Sequence, residues 1–256
     1  MKELFILKIG GKVIEDQVLL NEALELFAQQ AGYKILIHGG GKRATEVSKQ
    51  LNIPVQMVNG RRITDAATLE VAVMVYAGLA NKTIVAKLQT LDCNAIGLSG
   101  ADANAIIAHK RPVKDVDYGF AGDVDAVNVA TIQTLLEGSL TPVFCAITHD
   151  KKGQLLNTNA DTIAMQLATA MAPHYNVSLN FCFEKPGVLL NPDNNDSVIT
   201  NLNQKDYQNY IINGIITDGM LPKLDNAFAA LQKGVKEVRI GDVEGIFTHK
   251  GTLLRA

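Results

Sequence analysis

The residues with the clearest potential for chemistry are two glycine clusters, each placed directly after a short apolar run. Gly10-Gly11 follows residues 4–9, and Gly39-Gly40-Gly41 follows residues 34–38. Glycine lets backbone N–H groups approach phosphate oxygens closely, and a following helix adds the positive end of its dipole. Either cluster alone is explained equally well by a tight strand-to-helix turn. Two clusters at one edge of a parallel sheet, each with a lysine nearby, favour phosphate binding.

The second glycine cluster matches two well-known nucleotide motifs only in part. Residues 39–44 satisfy the loose dinucleotide pattern G-x-G-x-x-A, but the next predicted strand ends in residues 58–62 without the acidic residue that would bind a ribose. Gly41-Lys42 resembles a P-loop, but Arg43 stands where Ser or Thr would hold magnesium. Both motifs therefore fail at a specific residue.

Isolated charges mark four further places, each with a structural and a chemical interpretation. Lys8 lies inside an apolar run, where an unpaired charge would cost on the order of several kcal/mol, so it needs an anion or an exit to solvent. Arg61-Arg62 is either a solvated pair or a fork for a carboxylate. Residues 157–161 first indicate a helix cap. Lys223 lies in a predicted first helical turn, where its charge opposes the dipole unless an anion lies nearby.

Apolar runs and helical periodicities alternate along the whole chain and would position these residues. Strands are predicted at 4–9, 34–38, 54–59, 94–98, 105–109, 142–147, 176–183 and 237–240, with a hairpin over 118–128. Helices are predicted at 17–30, 42–51, 129–137, 161–171, 204–213 and 221–233, with a long helix capped by Thr64; Thr158 or Asn159 caps the helix at 161. This alternation predicts an α/β fold with an open, mainly parallel sheet in a three-layer αβα sandwich. We expect one continuous domain with two lobes, residues 1–175 and 176–256.

Composition excludes several classes of protein. The chain has 256 residues, a net charge of −2 and 47% hydrophobic residues, so no basic field draws it to nucleic acid or anionic lipid. Its three cysteines fit neither a disulfide framework nor a zinc spacing, which favours a reducing compartment. The N-terminus has no signal-peptide pattern, and no run approaches a membrane span. We therefore expect a cytoplasmic protein without nucleic-acid or membrane partners.

Five short motifs, in order along essentially the whole chain, together resemble the acetylglutamate kinases, a branch of the amino acid kinase family. They are Lys8-Ile9-Gly10-Gly11, His38-Gly39-Gly40-Gly41, residues 59–64, residues 156–161 and residues 219–223. The resemblance implies the amino acid kinase fold, with an acyl-amino-acid lobe followed by a nucleotide lobe. Residues 181–184, Phe-Cys-Phe-Glu, replace the Thr-Asp pair of many relatives, which puts the adenosine contacts in doubt. Asp218-Gly219 replaces a more usual Gly-Gly.

The resemblance implies that the γ-phosphoryl group of MgATP passes to the side-chain carboxylate of N-acetyl-L-glutamate, or of another N-acylglutamate, in arginine and ornithine biosynthesis. Lys8 and Lys223 would stabilise the migrating phosphoryl group, and Asp161 would fix both lysines, with magnesium held mainly by the phosphates. Arg62 would pair with the substrate α-carboxylate, and Asn157 would hydrogen-bond the acyl-amino acid. The backbone N–H groups that would bind phosphoryl oxygens belong to Gly10, Gly11, Gly40 and Gly41.

Other interpretations stay open at this point. A related enzyme would act on UMP, carbamate, glutamate or aspartate, and a non-catalytic sensor would bind nucleotide or amino acid without turnover. The acyl group is acetyl by default, and succinyl needs only a roomier pocket. We also expect a homodimer that ignores arginine, because arginine-inhibited hexameric relatives have an additional helix before the first strand. Its contact would be the face carrying Val71, Val75, Leu79 and the small Ala72 and Ala80.

Overall fold

The computed structural model describes residues 1–58, 60–216 and 220–255. Its strands are β1 (Lys2–Ile9), β2 (Tyr33–His38), β3 (Met57–Val58), β4 (Arg61–Arg62), β5 (Ala95–Leu98), β6 (Ile106–Lys110), β7 (Ala121–Val127), β8 (Thr141–Cys145), β9 (Ile147–His149), β10 (Leu155–Thr158), β11 (Tyr175–Cys182), β12 (Asn201–Leu202), β13 (Glu237–Gly241) and β14 (Thr252–Leu254). Its α-helices are α1 (Gly11–Glu15), α2 (Gln17–Gln29), α3 (Gly41–Gln50), α4 (Ala66–Ala72), α5 (Asn81–Gln89), α6 (Val129–Glu137), α7 (Ala160–Met171), α8 (Gln204–Ile212), α9 (Leu221–Gln232) and α10 (Val243–Phe247).

The chain folds as two compact units. Unit 1 combines Met1–Lys34 with Ala164–Ala256, and unit 2 comprises Ile35–Ile163. The expected lobes, residues 1–175 and 176–256, were defined by the ligand that each would bind rather than by compactness. That division stays a prediction.

Unit 1 contains a sheet in the order β12-β14-β13-β11-β1. The pairs β1–β11, β11–β13 and β12–β14 are parallel, and β13–β14 is antiparallel. β1 carries an apolar run, whereas β11 alternates apolar with polar residues as far as Asn180. Buried residues lie on both faces of each strand, as expected for central parallel strands. The register places Lys8 opposite Phe181, so the predicted site residue lies near the carboxyl ends of both strands.

Unit 2 contains a parallel sheet and a small barrel. β8 pairs in parallel with the end of β2 and with β5. The barrel closes in the order β10-β7-β6-β9, and β3 and β4 form a short antiparallel hairpin. The strands pair mainly in parallel and alternate with helices, which confirms the predicted α/β class. Nothing in the sequence pattern had indicated the barrel.

One continuous helical run, Ala66–Gln89, changes its geometry in the middle. Its central segment, Val73–Ala80, is a π-helix between α4 and α5. An α-helix advances about 100° per residue, so residues five apart point about 140° away from each other. In a π-helix the hydrogen bonds run from i to i+5, and residues five apart become neighbours on one face. This segment therefore brings Tyr76 and Asn81 to the same side of the helix.

The same helix contradicts the expectation that no segment approaches the length and hydropathy of a membrane span. It is 24 residues long with a mean hydropathy of 1.4 in its most apolar window, which is long and apolar enough to span a membrane by those criteria alone. The expectation that no run approaches a span is therefore wrong for this helix. Core helices of soluble proteins meet the same criteria, and the buried Leu69, Val71, Ala72, Val75 and Tyr76 give it a core face within unit 2.

Three local predictions are wrong for physical reasons. Thr64 does not cap the long helix; Asp65 does, because its carboxylate accepts the Thr68 N–H. Residues 118–128 are not a hairpin by themselves: β7 pairs with the earlier β6, so the turn lies between them. The apolar run 142–147 is divided between β8 and β9, which join different sheets. Of the two candidate caps for α7, Asn159 is the one that accepts backbone N–H groups.

Candidate active site

The second glycine turn is built so that only glycine fits its centre. Gly40 has φ +156°, and a Cβ there would lie 2.8 Å from Cδ1 of the buried Tyr76. The backbone of this turn therefore packs directly on a ring supplied by the π-helical segment, and α3 begins at the next residue. The predicted phosphate-binding Gly40 and Gly41 thus lie at a helix N-terminus, where backbone N–H groups can bind an anion.

Arg62 is held next to this turn by two hydrogen bonds. Its Nη2 donates to the Gly41 carbonyl and to Thr45 Oγ1, each at 2.7 Å. Its Nη1 is buried and has no hydrogen-bond partner among the described residues. A buried, charged donor without a partner is costly, so a ligand anion is the expected partner. Arg62 also influences Tyr76: burial raises the pKa of that phenol, and the arginine charge opposes the rise.

Asn157 is connected to the backbone of Arg62 through Thr64. Its Nδ2 donates to Thr64 Oγ1 at 3.0 Å, and that hydroxyl donates to the Arg62 carbonyl at 3.2 Å. Thr64 is fully buried, and its backbone bonds Tyr118 and Phe120. The residue expected as a helix cap therefore ties β4, β10 and the segment before β7 together.

These residues surround one cavity of about 210 Å³ in unit 2. The lining includes the predicted Gly40, Gly41, Arg62 and Asn157. Other members of the same three motifs also line it: Gly39, Gly60, Arg61, Thr158, Asn159 and Ala160. Residues outside the motifs complete it: Met57, Tyr76, Arg111, Ala121, Gly122 and Ala146. Asn59, part of the predicted substrate motif, lies outside the described residues.

A further arginine in this lining is already paired. Arg111 donates from Nε and Nη2 to the carboxylate of Asp123, and its guanidinium lies 5.5 Å from the ring of Tyr118. The Arg111 hydrogen bonds hold the pKa of Asp123 below its usual range, although burial opposes this. Arg61 and Arg62 therefore carry positive charge into the cavity wall, while Arg111 is largely neutralised.

In unit 1 the first glycine turn contacts the residues after β11. The Gly10 N–H donates to the Cys182 carbonyl at 2.8 Å, and a Cβ on Gly10 would lie 3.2 Å from that oxygen. Gly11 begins α1, and Lys8 is half-buried at the end of β1. The sequence expectation of a strand followed by a tight glycine turn is confirmed.

Lys223 lies against the same segment. It is in the first turn of α9, as the sequence predicted, and its Nζ is 5.3 Å from the centroid of the Phe183 ring. A Cβ on Gly10 would lie 3.5 Å from the Phe183 Cβ, so Phe183 lies beside both predicted elements. Glu184, next along the chain, forms a 2.7 Å ion pair with Lys12. Burial raises the pKa of Glu184, but Lys12 and the charge of Lys223 produce a net lowering.

Asp161 occupies the first turn of α7 and is half-buried. Its backbone N–H is bonded by the Asn159 side chain at 2.8 Å, which fixes the start of the helix. The remaining predicted residues, Asp218 and Gly219, lie outside the described residues. The roles of the site residues in binding and catalysis stay predictions.

Comparison with known proteins identifies the family of this chain. The model of the amino acid kinase family matches residues 3–242. The acetylglutamate kinase of Parabacteroides distasonis is 51% identical over 252 residues, which is 98% of this chain and 99% of the relative. A crystal structure from Streptococcus mutans UA159 superposes with a TM-score of 0.80 at 26% identity, covering 99% of this chain and 98% of that one. Carbamate kinase from Giardia lamblia, bound to AMP-PNP, shares the fold with a TM-score of 0.66 at 14% identity, covering 99% and 98%. The chain belongs to the amino acid kinase family.

Proposed function

We propose that this protein transfers the γ-phosphoryl group of MgATP to the side-chain carboxylate of N-acetyl-L-glutamate, the second step of arginine and ornithine biosynthesis. The proposal is supported by relatives that are about half identical over the full chain and are acetylglutamate kinases. Phosphate-binding glycine turns and a cationic cavity are what such a reaction needs.

The observation that carries the proposal is the orientation of Arg62. Two hydrogen bonds fix one end of its guanidinium, and the other end is buried without a described partner at a cavity of small-molecule size. A guanidinium held in this way is pre-organised for a planar carboxylate. In the proposed complex it binds the substrate α-carboxylate, and Asn157 hydrogen-bonds the acyl-amino acid.

The reaction needs no general base. A glutamate side chain has a reference pKa of about 4.3, so it is ionised at neutral pH and is itself the nucleophile. Catalysis then consists of positioning and of neutralising charge on the phosphoryl oxygens. We assign neutralisation to Lys8 and Lys223, orientation of these lysines to Asp161, and hydrogen bonds to phosphoryl oxygens to the N–H groups of Gly10, Gly11, Gly40 and Gly41.

Magnesium fits this chain as a partner of the nucleotide rather than of a protein cage. The described residues assemble no group of three His, Cys, Asp or Glu side chains that would hold a metal ion. Mg²⁺ commonly keeps several waters and binds through substrate phosphates and one or two carboxylates. Asp161 is the carboxylate that we propose to contact its water shell, and the ion would supply charge neutralisation on the phosphates.

An apolar cavity of about 190 Å³ in unit 1 is the candidate adenine pocket. A purine ring favours such a lining because it stacks on apolar side chains, with a few polar groups to orient it. Its lining consists of Lys185, Gly187, Val188, Leu189, Pro192, Ile215, Ile216 and Met220. Phe181 and Cys182 are buried within β11 instead, so neither offers the polar contact that a Thr-Asp pair would make.

The decisive assay measures ATP consumption with N-acetyl-L-glutamate beside UMP, carbamate, aspartate and free glutamate. Turnover with the acylated substrate alone is the expected result. Turnover with any other acceptor at higher kcat/KM would assign the chain to a different activity of its family. Nucleotide binding without turnover on all five would support a sensor.

N-Succinylglutamate is a second candidate substrate, because the cavity holds more positive charge than one α-carboxylate requires. Arg61 lines the cavity together with Arg62. It is a second guanidinium and takes no part in the hydrogen bonds that hold the Arg62 side chain. A succinyl group would bring a further carboxylate to such a residue. The test compares kcat/KM for the two acyl substrates in the wild type and in Arg61→Ala. If the enzyme uses the succinyl substrate, its preference for that substrate over the acetyl one disappears in Arg61→Ala. An enzyme for the acetyl substrate has no preference for the succinyl substrate in either protein.

We also propose a homodimer, although not through the whole face expected from periodicity. Val71, Ala72 and Val75 are buried within the chain and are unavailable for such a contact. Met74 and Leu79 of the same helix are 53% and 52% exposed, and Gly78 between them is exposed. Exposed apolar side chains beside a glycine suit a closely packed two-fold contact. Residence in the cytoplasm and insensitivity to arginine remain predictions.

A further inference from the structure

A fully buried hydrogen-bonded pair, His38 and Asn81, lies directly behind the second glycine turn. His38 is the last residue of β2 and is 0% exposed, and Asn81 begins α5 and is 1% exposed. The Asn81 Nδ2 lies 3.0 Å from His38 Nε2, and the His38 Nδ1 lies 2.8 Å from the Gly39 carbonyl oxygen. Neither side chain lines the cavity.

The hydrogen-bond network determines which nitrogen of His38 carries the proton. The Asn81 Nδ2 also donates to the Val143 carbonyl at 2.9 Å, and the Asn81 Oδ1 accepts from Lys82 Nζ at 3.2 Å. The amide nitrogen is thus a donor toward both of its neighbours, so His38 Nε2 must be an acceptor. The proton therefore lies on Nδ1, where it donates to Gly39. Burial lowers the pKa of His38 to about 4, with Lys82 adding to the lowering, so the ring stays neutral at physiological pH.

The surroundings of Asn81 show that this orientation is built in. A Cβ on Gly97 would lie 1.9 Å from Asn81 Oδ1, so the amide fits only above a glycine of the neighbouring strand β5. Lys82 Nζ also donates to the Gly97 carbonyl at 3.1 Å. Asn81 donates to the Val143 carbonyl of β8 and packs on Gly97 of β5. It therefore fixes the position of His38 relative to both strands.

Holding one carbonyl fixes a whole peptide unit. In a trans peptide the C=O and the following N–H point in opposite directions. A Gly39 carbonyl bound by His38 therefore turns the Gly40 N–H away from the protein interior. Gly40 itself is supported by Tyr76, which the π-helical segment places on the same helix face as Asn81.

We propose that His38 and Asn81 are positioning residues for phosphoryl transfer: the Nδ1–H tautomer of His38, selected by Asn81, orients the Gly39–Gly40 peptide so that the Gly40 N–H meets the phosphoryl oxygens. The proposal rests on the kinase function proposed above. Neither side chain touches substrate. Their effect passes through the backbone of the turn, so it acts on the transition state more than on binding of the acyl-amino acid.

The test uses matched variants of the full chain. His38→Leu and Asn81→Leu remove the network, and His38→Asn keeps an amide donor near the place of Nδ1. Leu88→Ala, a fully buried position two helical turns after Asn81 and about 10 Å away, is the control for lost stability alone. We expect kcat to fall by about tenfold or more in the two leucine variants, on the scale of a weakened oxyanion contact, with KM for the acyl-amino acid changed less than about threefold. His38→Asn should keep kcat within about threefold, and Leu88→Ala should keep it unchanged in the folded fraction.

Nuclear magnetic resonance of the imidazole nitrogens provides a readout independent of turnover. In wild-type protein labelled with ¹⁵N at histidine, we expect a neutral His38 with the proton on Nδ1 from pH 6 to 8. An Nε2–H tautomer, or equal kcat losses in His38→Asn and His38→Leu, would overturn the proposal, and so would a matching loss in Leu88→Ala. If the wild type shows no kinase activity, the proposed function fails, while the tautomer measurement still decides whether the turn is held in this way.

Discussion

His38 should make the stability of this protein fall as the pH drops, by an amount that its burial sets. The folded pKa is about 4, against 6.5 for an unperturbed histidine. Below pH 6.5 the unfolded chain binds a proton that the folded chain refuses until about pH 4, so protons favour unfolding in this window. The stabilisation from neutral His38 is complete above pH 6.5 and is lost as the pH falls toward 4. At about 1.4 kcal/mol per pH unit, the total is about 3 kcal/mol, of which about 2 kcal/mol disappears between pH 6.5 and 5.

Urea unfolding at pH 7.5, 6.5, 5.5 and 5.0 measures this loss. The wild type should lose about 2 kcal/mol more than His38→Leu between pH 6.5 and 5, because that variant has no group to protonate at this position. Carboxylates that titrate in the same range are common to both proteins and cancel in the difference. His174→Gln, which removes an exposed histidine, is the control and should follow the wild type. Parallel curves for the wild type and His38→Leu would refute the assignment of His38 as a buried neutral ring.

Three further predictions concern activity and assembly. Lys8→Ala and Lys223→Ala should each lower kcat about 100-fold or more with a small effect on KM, because both charges act on the migrating phosphoryl group; near wild-type kcat in steady-state assays would remove that role. Arg62→Ala should raise KM for the acylated amino acid and leave KM for ATP almost unchanged, since a carboxylate fork binds ground state and transition state alike; an effect confined to ATP would contradict the assignment. Light scattering coupled to chromatography should give a dimer mass that Met74→Glu halves, and an arginine titration should leave the rate unchanged; a hexamer, or inhibition below millimolar arginine, would contradict both expectations.

The parallel sheet was predictable from the sequence because buried parallel strands are continuous apolar runs. Residues 4–9 and 34–38 show this pattern, whereas residues 176–183 alternate apolar with polar side chains. All three strands lie within a residue or two of the predicted bounds. The small barrel was not predictable in the same way. Its strands β9 and β10 have three and four residues, too few to show a period, and β6 pairs with β7 across a loop of ten residues. Pairing of that kind depends on tertiary contacts that periodicity does not report.

The candidate site was also predictable only in part. Gly40, Gly41, Arg62 and Asn157 belong to short local motifs, so their residue types and order identified them, and the structure places them around one cavity. Tyr76 lies 36 residues after Gly40 and packs against it in the fold. No local signal marked it, because the contact joins two elements that are distant in the sequence.

Phe183 shows the opposite case, in which a departure from the family pattern was visible but its meaning was not. The sequence indicated only that a polar pair was missing after β11. The structure places the ring of Phe183 under the Lys223 ammonium, while Glu184 pairs with Lys12. An aromatic face supports a cation without neutralising it, which leaves the lysine charge available to an anion.

The wide turns of Val73–Ala80 make the number of residues in the long helix as important as their identity. If this segment returned to α-helical geometry with its length unchanged, Tyr76 and Asn81 would point about 140° apart, and the two supports of one turn would separate. Removal of one residue between them would avoid that separation, because residues four apart lie on one face of an α-helix. Natural variation in this helix should therefore keep the wide turns and the full length, or lose both together.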